Sequence, residues 1–172
     1  MNVDALFVAD PSNSYYLQDP TGKWEGVSYY EALLRRYTPK YRRVLLIGSS
    51  MGASACLQHA YLGHRAIAFA PRIDLSASHG TYIPLGARTS GLERTRRSLT
   101  KMGGTACVHC GRSNYVDLAQ VEHVRDLPKL QVRAWPTFHH NVPAWLEKEG
   151  RLVPLIKQEL VRLLLEDHAA EA

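Results

Sequence analysis

Three residue types in one chain order define the chemistry this sequence can do. Between an apolar run and a helical pattern lies Gly48-Ser49-Ser50-Met51-Gly52, a G-x-S-x-G spacing centred on Ser50. At a strand-to-helix turn this is the spacing of a nucleophile elbow. Glycines two positions away let strand and helix cross closely, and the serine hydroxyl stands above the sheet edge. The next amide, on Met51, then points from a helix N-terminus at any negative charge forming on a bound carbonyl. Ser49 is the nearest rival, but the glycine spacing selects Ser50. Ser54 has Cys56 where the second glycine would stand.

A serine is a poor nucleophile without a base, and the base needs an orienting acid. The segment "GRSNYVD" carries Asp117 in a loop or at the start of a helix, and "PTFHHNVPAWL" carries His139 and His140. Ser50, Asp117 and His140 therefore follow one another in the order serine, acid, histidine, each just past a predicted strand. His140 is preferred over His139 because it directly precedes Asn141-Val142-Pro143, where the chain turns into a helix. Asp74, in "APRIDL", is the rival acid.

These residues need a sheet whose strands all end on one side. Apolar runs predict strands over 5–9, 44–47, 66–70, 106–110 and 130–135. Helical patterns lie between and after them: 28–37, with Ser28 as N-cap and Glu31 completing a capping box, then 51–62, 118–126, 142–149 and 152–166. Residues 73–104 contain Gly80, Pro84, Gly86 and Gly91 and read as an excursion over one end of the sheet, with a short helix near 92–102. Strand–helix alternation of this kind predicts an α/β fold, with a mostly parallel sheet of about five strands and helices on both faces.

Composition narrows the class. The chain has 172 residues, 45% of them hydrophobic and 22% charged, which suits one domain with a core. No apolar run reaches the roughly 18 residues of a membrane span. The first residues show no basic-then-apolar leader, so a cytoplasmic protein is expected. The net charge of +5 gathers around 88–112, yet no nucleic-acid motif accompanies it, and a solvated basic face is the reading. Cys107 and Cys110 have C-x-x-C spacing, but residues three apart in a strand face opposite sides and no second pair exists, so core packing is expected. No metal or other cofactor is expected.

The segments "IGSSMGAS", "AIAFAPRIDL", "CGRSNYVD" and "HHNVPAWL" together resemble the α/β-hydrolase superfamily, and are most similar to small bacterial serine hydrolases. The resemblance spans roughly residues 5–155. It implies a minimal or N-terminally shortened hydrolase fold with a Ser50-Asp117-His140 catalytic triad. It also implies esterase-like cleavage of a small-molecule acyl substrate through an acyl-enzyme. A hydrolase core usually has several strands before the nucleophile strand, and the loop after one of them gives a second oxyanion amide. Here that loop would be 10–13, with Ser12 as the donor. The other function class is a hydrolase-like protein that binds a partner or carbohydrate without turnover. A lone apolar first strand at the sheet edge, with the leucines of the last helix, leads to the expectation of a homodimer.

Overall fold

The computed structural model describes residues 3–76 and 83–165. Four parallel strands form one sheet: β1 (Leu45–Ser49), β2 (Arg65–Phe69), β3 (Thr105–Gly111) and β4 (Leu130–Trp135), side by side in sequence order. The helices are α1 (Gly26–Tyr37), α2 (Met51–Gln58), α3 (Leu85–Lys101), α4 (Tyr115–Glu122), α5 (Val142–Lys148) and α6 (Leu152–Leu165). The register runs Ser49 beside Phe69 and Phe69 beside His109, so the carboxyl ends of the first three strands lie level.

The two faces of the sheet are read from strand alternation. Ala66 and Ala68 of β2 and Val108 of β3 join Ala53 and Leu57 of α2, Leu99 of α3 and Val121 of α4 in one buried cluster. Ile67 and Phe69 pack with Val142 and Leu146 of α5 and Leu155 of α6 in another. Cys110 belongs to the first cluster. Burial pushes the Cys107 thiol up to about 11 and raises that of Cys110 as well. At the amino ends of the strands, fully buried Glu159 of α6 pairs with Arg65 Nε and accepts from Arg162 at 2.9 Å, and Arg65 also donates to Thr105 Oγ1 at 2.8 Å.

Among the described residues the sheet has four strands, not the expected five. Residues 5–9 form no strand, and Phe7 is 92% exposed. The carbonyls of Val8 and Ala9 accept from the hydroxyls of Tyr16 and Tyr30 (3.0 and 3.1 Å), so side chains occupy the acceptors that a ladder would use. The strand-edge basis for a dimer goes with it. Leu155 and Leu163 are buried within the chain itself, which leaves Val161, Leu164 and Leu165 as the exposed apolar positions in the last turns of α6.

The helix calculus also shifts. The first helix begins two residues before Ser28, where the Gly26 amide closes the preceding loop onto the Leu17 carbonyl, and Ser28 makes no cap. Most of the expected excursion is α3, which starts directly after Pro84 and continues through Gly86 and Gly91 to pack on α2. No helix among the described residues is long and apolar enough to cross a membrane.

Candidate active site

Each strand delivers one polar side chain to the carboxyl edge: Ser50 after β1, Arg72 after β2, Asp117 after β3 and His140 after β4. The first is set by backbone strain. Ser50 has φ 51° and ψ −113° and stands between β1 and the first residue of α2, a region that non-glycine residues seldom occupy. Its amide donates to the Phe69 carbonyl at 2.8 Å, and its carbonyl accepts from Ser54 N at 3.1 Å. Gly48 makes the turn possible. A Cβ there would stand 2.1 Å from the Gly52 carbonyl oxygen. Gly52 has a different position: a Cβ on it would meet only the Tyr16 hydroxyl, at 3.9 Å. The strand–helix crossing thus demands the first glycine of the motif and not the second.

Asp117 lies at the third position of α4. Asn114 is the N-cap, its Oδ1 accepting from Asp117 N at 3.1 Å, as expected for an Asx cap. His140 precedes the Asn141 cap of α5, whose side chain accepts from Ala144 N. The two loops are stitched together: Arg112 N donates to Trp135 O at 2.7 Å, Ser113 N to Thr137 O at 3.1 Å and Asn114 Nδ2 to Phe138 O at 3.2 Å. Gly111 lies beneath this crossing. A Cβ there would come within 2.6 Å of the Thr137 carbonyl oxygen.

The result is a continuous chain of hydrogen bonds. Ser50 Oγ is 2.9 Å from His140 Nε2, and His140 Nδ1 is 2.9 and 3.1 Å from the two Asp117 oxygens. A carboxylate only accepts, so Nδ1 carries the proton and Nε2 is left to accept from the serine hydroxyl. Asp117 is fully buried, while His140 remains open to solvent. Arg72 Nη1 lies 3.7 Å from Asp117 Oδ1.

The rival residues lie elsewhere. Asp74 accepts from Ser76 N at 2.8 Å, and the Ser76 side chain first, then this amide, hold its carboxyl below the usual range; its other oxygen is 3.9 Å from His123. His139 is exposed and packs its ring against Phe138. Ser54 Oγ accepts from Arg72 N at 2.9 Å, one turn along α2 from Ser50.

The Met51 amide opens α2, so it has no acceptor four residues back within the helix. Ser12 lies in a loop wound around Asp10, whose Oδ2 accepts from Ser14 N at 2.6 Å and Tyr16 N at 2.8 Å. Asn13, Tyr15 and Tyr16 in this loop all have positive φ. Among the described contacts none joins Ser12 to Ser50, and the loop approaches the elbow through Tyr16 at Gly52. Two clefts, of about 430 and 550 Å³, lie at β4–α6 and between the 17–28 segment and α3; neither is lined by Ser50, Asp117 or His140.

Sequence reasoning missed Arg72, Asn114 and the crossing at Gly111. Asn114 was findable, since an Asn three residues before an acidic residue at a helix start is a capping spacing. Arg72 and Gly111 carry no local pattern, because what they meet comes from other parts of the chain. No protein-family model and no curated protein matches the sequence.

Proposed function

We propose that the chain is a cofactor-independent serine hydrolase of minimal α/β-hydrolase type, acting on an ester or related acyl bond. The observation that carries this reading is the unbroken Ser50–His140–Asp117 chain, with the serine on a strained turn at a helix N-terminus. Ser50 Oγ attacks the acyl carbon while His140 Nε2 takes the hydroxyl proton. The charge that develops on the carbonyl oxygen meets the Met51 amide, and the 10–13 loop with Ser12 is the proposed source of a second donor. The tetrahedral intermediate collapses, His140 returns its proton to the departing alkoxide, and the acyl group stays on Ser50. Water, deprotonated by Nε2, attacks the acyl-enzyme, and the serine leaves with the proton as the acid is released. Asp117 keeps the imidazole in the competent tautomer throughout.

The test pairs covalent labelling with turnover. The protein is expected to react with a fluorophosphonate and to hydrolyse a short activated ester, and Ser50→Ala is expected to lose both while keeping its circular dichroism. A Ser50→Ala variant that hydrolyses or labels like the parent would overturn the assignment. A folded parent that does neither would instead favour a binding role.

A further inference from the structure

We propose that Arg72 is a positioning residue of the Ser50–His140–Asp117 chain, compensating the buried Asp117 carboxylate and holding it square to His140. The proposal rests on the serine-hydrolase reading for its kinetic consequence, though not for its structural one.

Asp117 is fully buried. Among the described residues, its carboxylate oxygens have two partners: the His140 ring at 2.9 and 3.1 Å and the Arg72 guanidinium at 3.7 Å. A neutral imidazole offers one N–H and no formal charge. A buried carboxylate compensated by a single neutral donor is unfavourable, and an adjacent cation is the usual remedy. Arg72 supplies that cation in the resting state, before a proton reaches the imidazole.

The chain invests in this placement. Directly after β2, Ala70 takes φ 48°, a left-handed conformation that is costly for a residue with a Cβ. Pro71 then restricts the path. The next three amides are clamped from both sides. Arg72 N donates to Ser54 Oγ of α2 at 2.9 Å, while Ile73 N and Asp74 N both donate to Gln120 Oε1 of α4, at 2.7 and 2.8 Å. One helix follows Ser50 and the other carries Asp117. The segment Arg72–Asp74 is therefore tied to the two helices that hold the ends of the hydrogen-bonded chain, and the Arg72 guanidinium meets the carboxylate at one of those ends. The side chain is 24% exposed, so it retains contact with solvent while its charged end reaches the carboxylate.

An alternative role for such a residue is to bind an anionic group on the substrate, and kinetics separates the two. Positioning acts through Asp117 on the chemical step. Arg72→Gln is then expected to lower kcat on an uncharged activated ester by on the order of 10- to 10²-fold, the scale of a slightly misplaced reacting group, with KM little changed. Arg72→Lys, which restores the charge, should recover much of the loss. A structural readout accompanies the kinetics. The imidazole N–H bonded to Asp117 should give a far-downfield proton resonance in the parent and in Arg72→Lys, and this resonance should move or vanish in Arg72→Gln. Arg72→Met keeps the bulk of the stem and serves if the Gln variant does not fold.

Parent-like kcat and resonance in the uncharged variants would overturn the proposal. So would an effect confined to KM for an anionic ester. A parent with no turnover and no labelling, whose downfield resonance is still lost on removing Arg72, would reject hydrolysis and support the positioning role.

Discussion

Two buried histidines away from the hydrogen-bonded chain make the fold sensitive to acid. His109 of β3 is fully buried, its Nδ1 accepting from Trp135 Nε1 at 3.0 Å. Desolvation, with help from Arg133, pushes it down from 6.5 to about 3. His59 is pushed down to about 4, chiefly by desolvation and further by Arg94, with Glu31 opposing. Protonating His109 would turn Nδ1 from an acceptor into a donor facing the indole N–H. Below about pH 6.5 the unfolded chain takes up protons that the folded protein refuses. Stability present above that pH is therefore lost on acidification toward pH 4 and 3. At pH 5 the loss is about 2 kcal/mol for each histidine. Urea unfolding at pH 7.5 and pH 5 should show it, and His109→Gln, which keeps an acceptor for Trp135, should remove about half. An unfolding free energy that is flat across this interval would refute the account.

At the scale of elements, the site depends on how closely the loop after β4 can pass over the end of β3. Gly111 is the residue that permits it. In Gly111→Ala a methyl group would press on the Thr137 carbonyl, three residues before His140, while the buried clusters on the two sheet faces stay intact. The expected outcome is a folded protein in which proposed ester turnover falls on the order of 10²-fold, as a displaced base would cause. Kinetics together with a thermal melt checks this. Unchanged turnover would show that the loop has room to move.

The same geometry explains what the sequence could disclose. Strands β2, β3 and β4, the turn at Ser50 and the Ser–Asp–His order were legible, because apolar runs and glycine spacing are local signals. The rest was not. The run 5–9 looked like a strand because its residues are apolar, but strand formation needs a partner ladder, and here two tyrosine hydroxyls take its carbonyls. Residues 85–101 looked like a broken excursion because of their glycines, yet packing on α2 outweighs the helix propensity that Gly86 and Gly91 lack. Arg72 was an ordinary loop cation until the fold brought Asp117 beside it.

For the whole molecule, the telling feature is that the strands lie in the sheet in the order in which they occur in the chain. Ser50 and His140 are therefore contributed by opposite borders of the sheet, whose axes at ~4.8 Å per spacing are about 14 Å apart. The 2.9 Å contact between them exists because the loop after β4 reaches back over the end of β3 and carries His140 across the sheet. That makes the contact a gauge of strand geometry across the full width of the sheet. Border strands loosen at lower cost than central ones, and Ile47 of β1 is already 46% exposed. Rising urea should therefore pull the serine and the histidine apart before the central strands give way. The proposed ester turnover is expected to fall with a midpoint at lower urea than the far-ultraviolet circular dichroism signal, with fluorophosphonate labelling following it. Coincident midpoints for all three would mean that the borders hold as firmly as the centre.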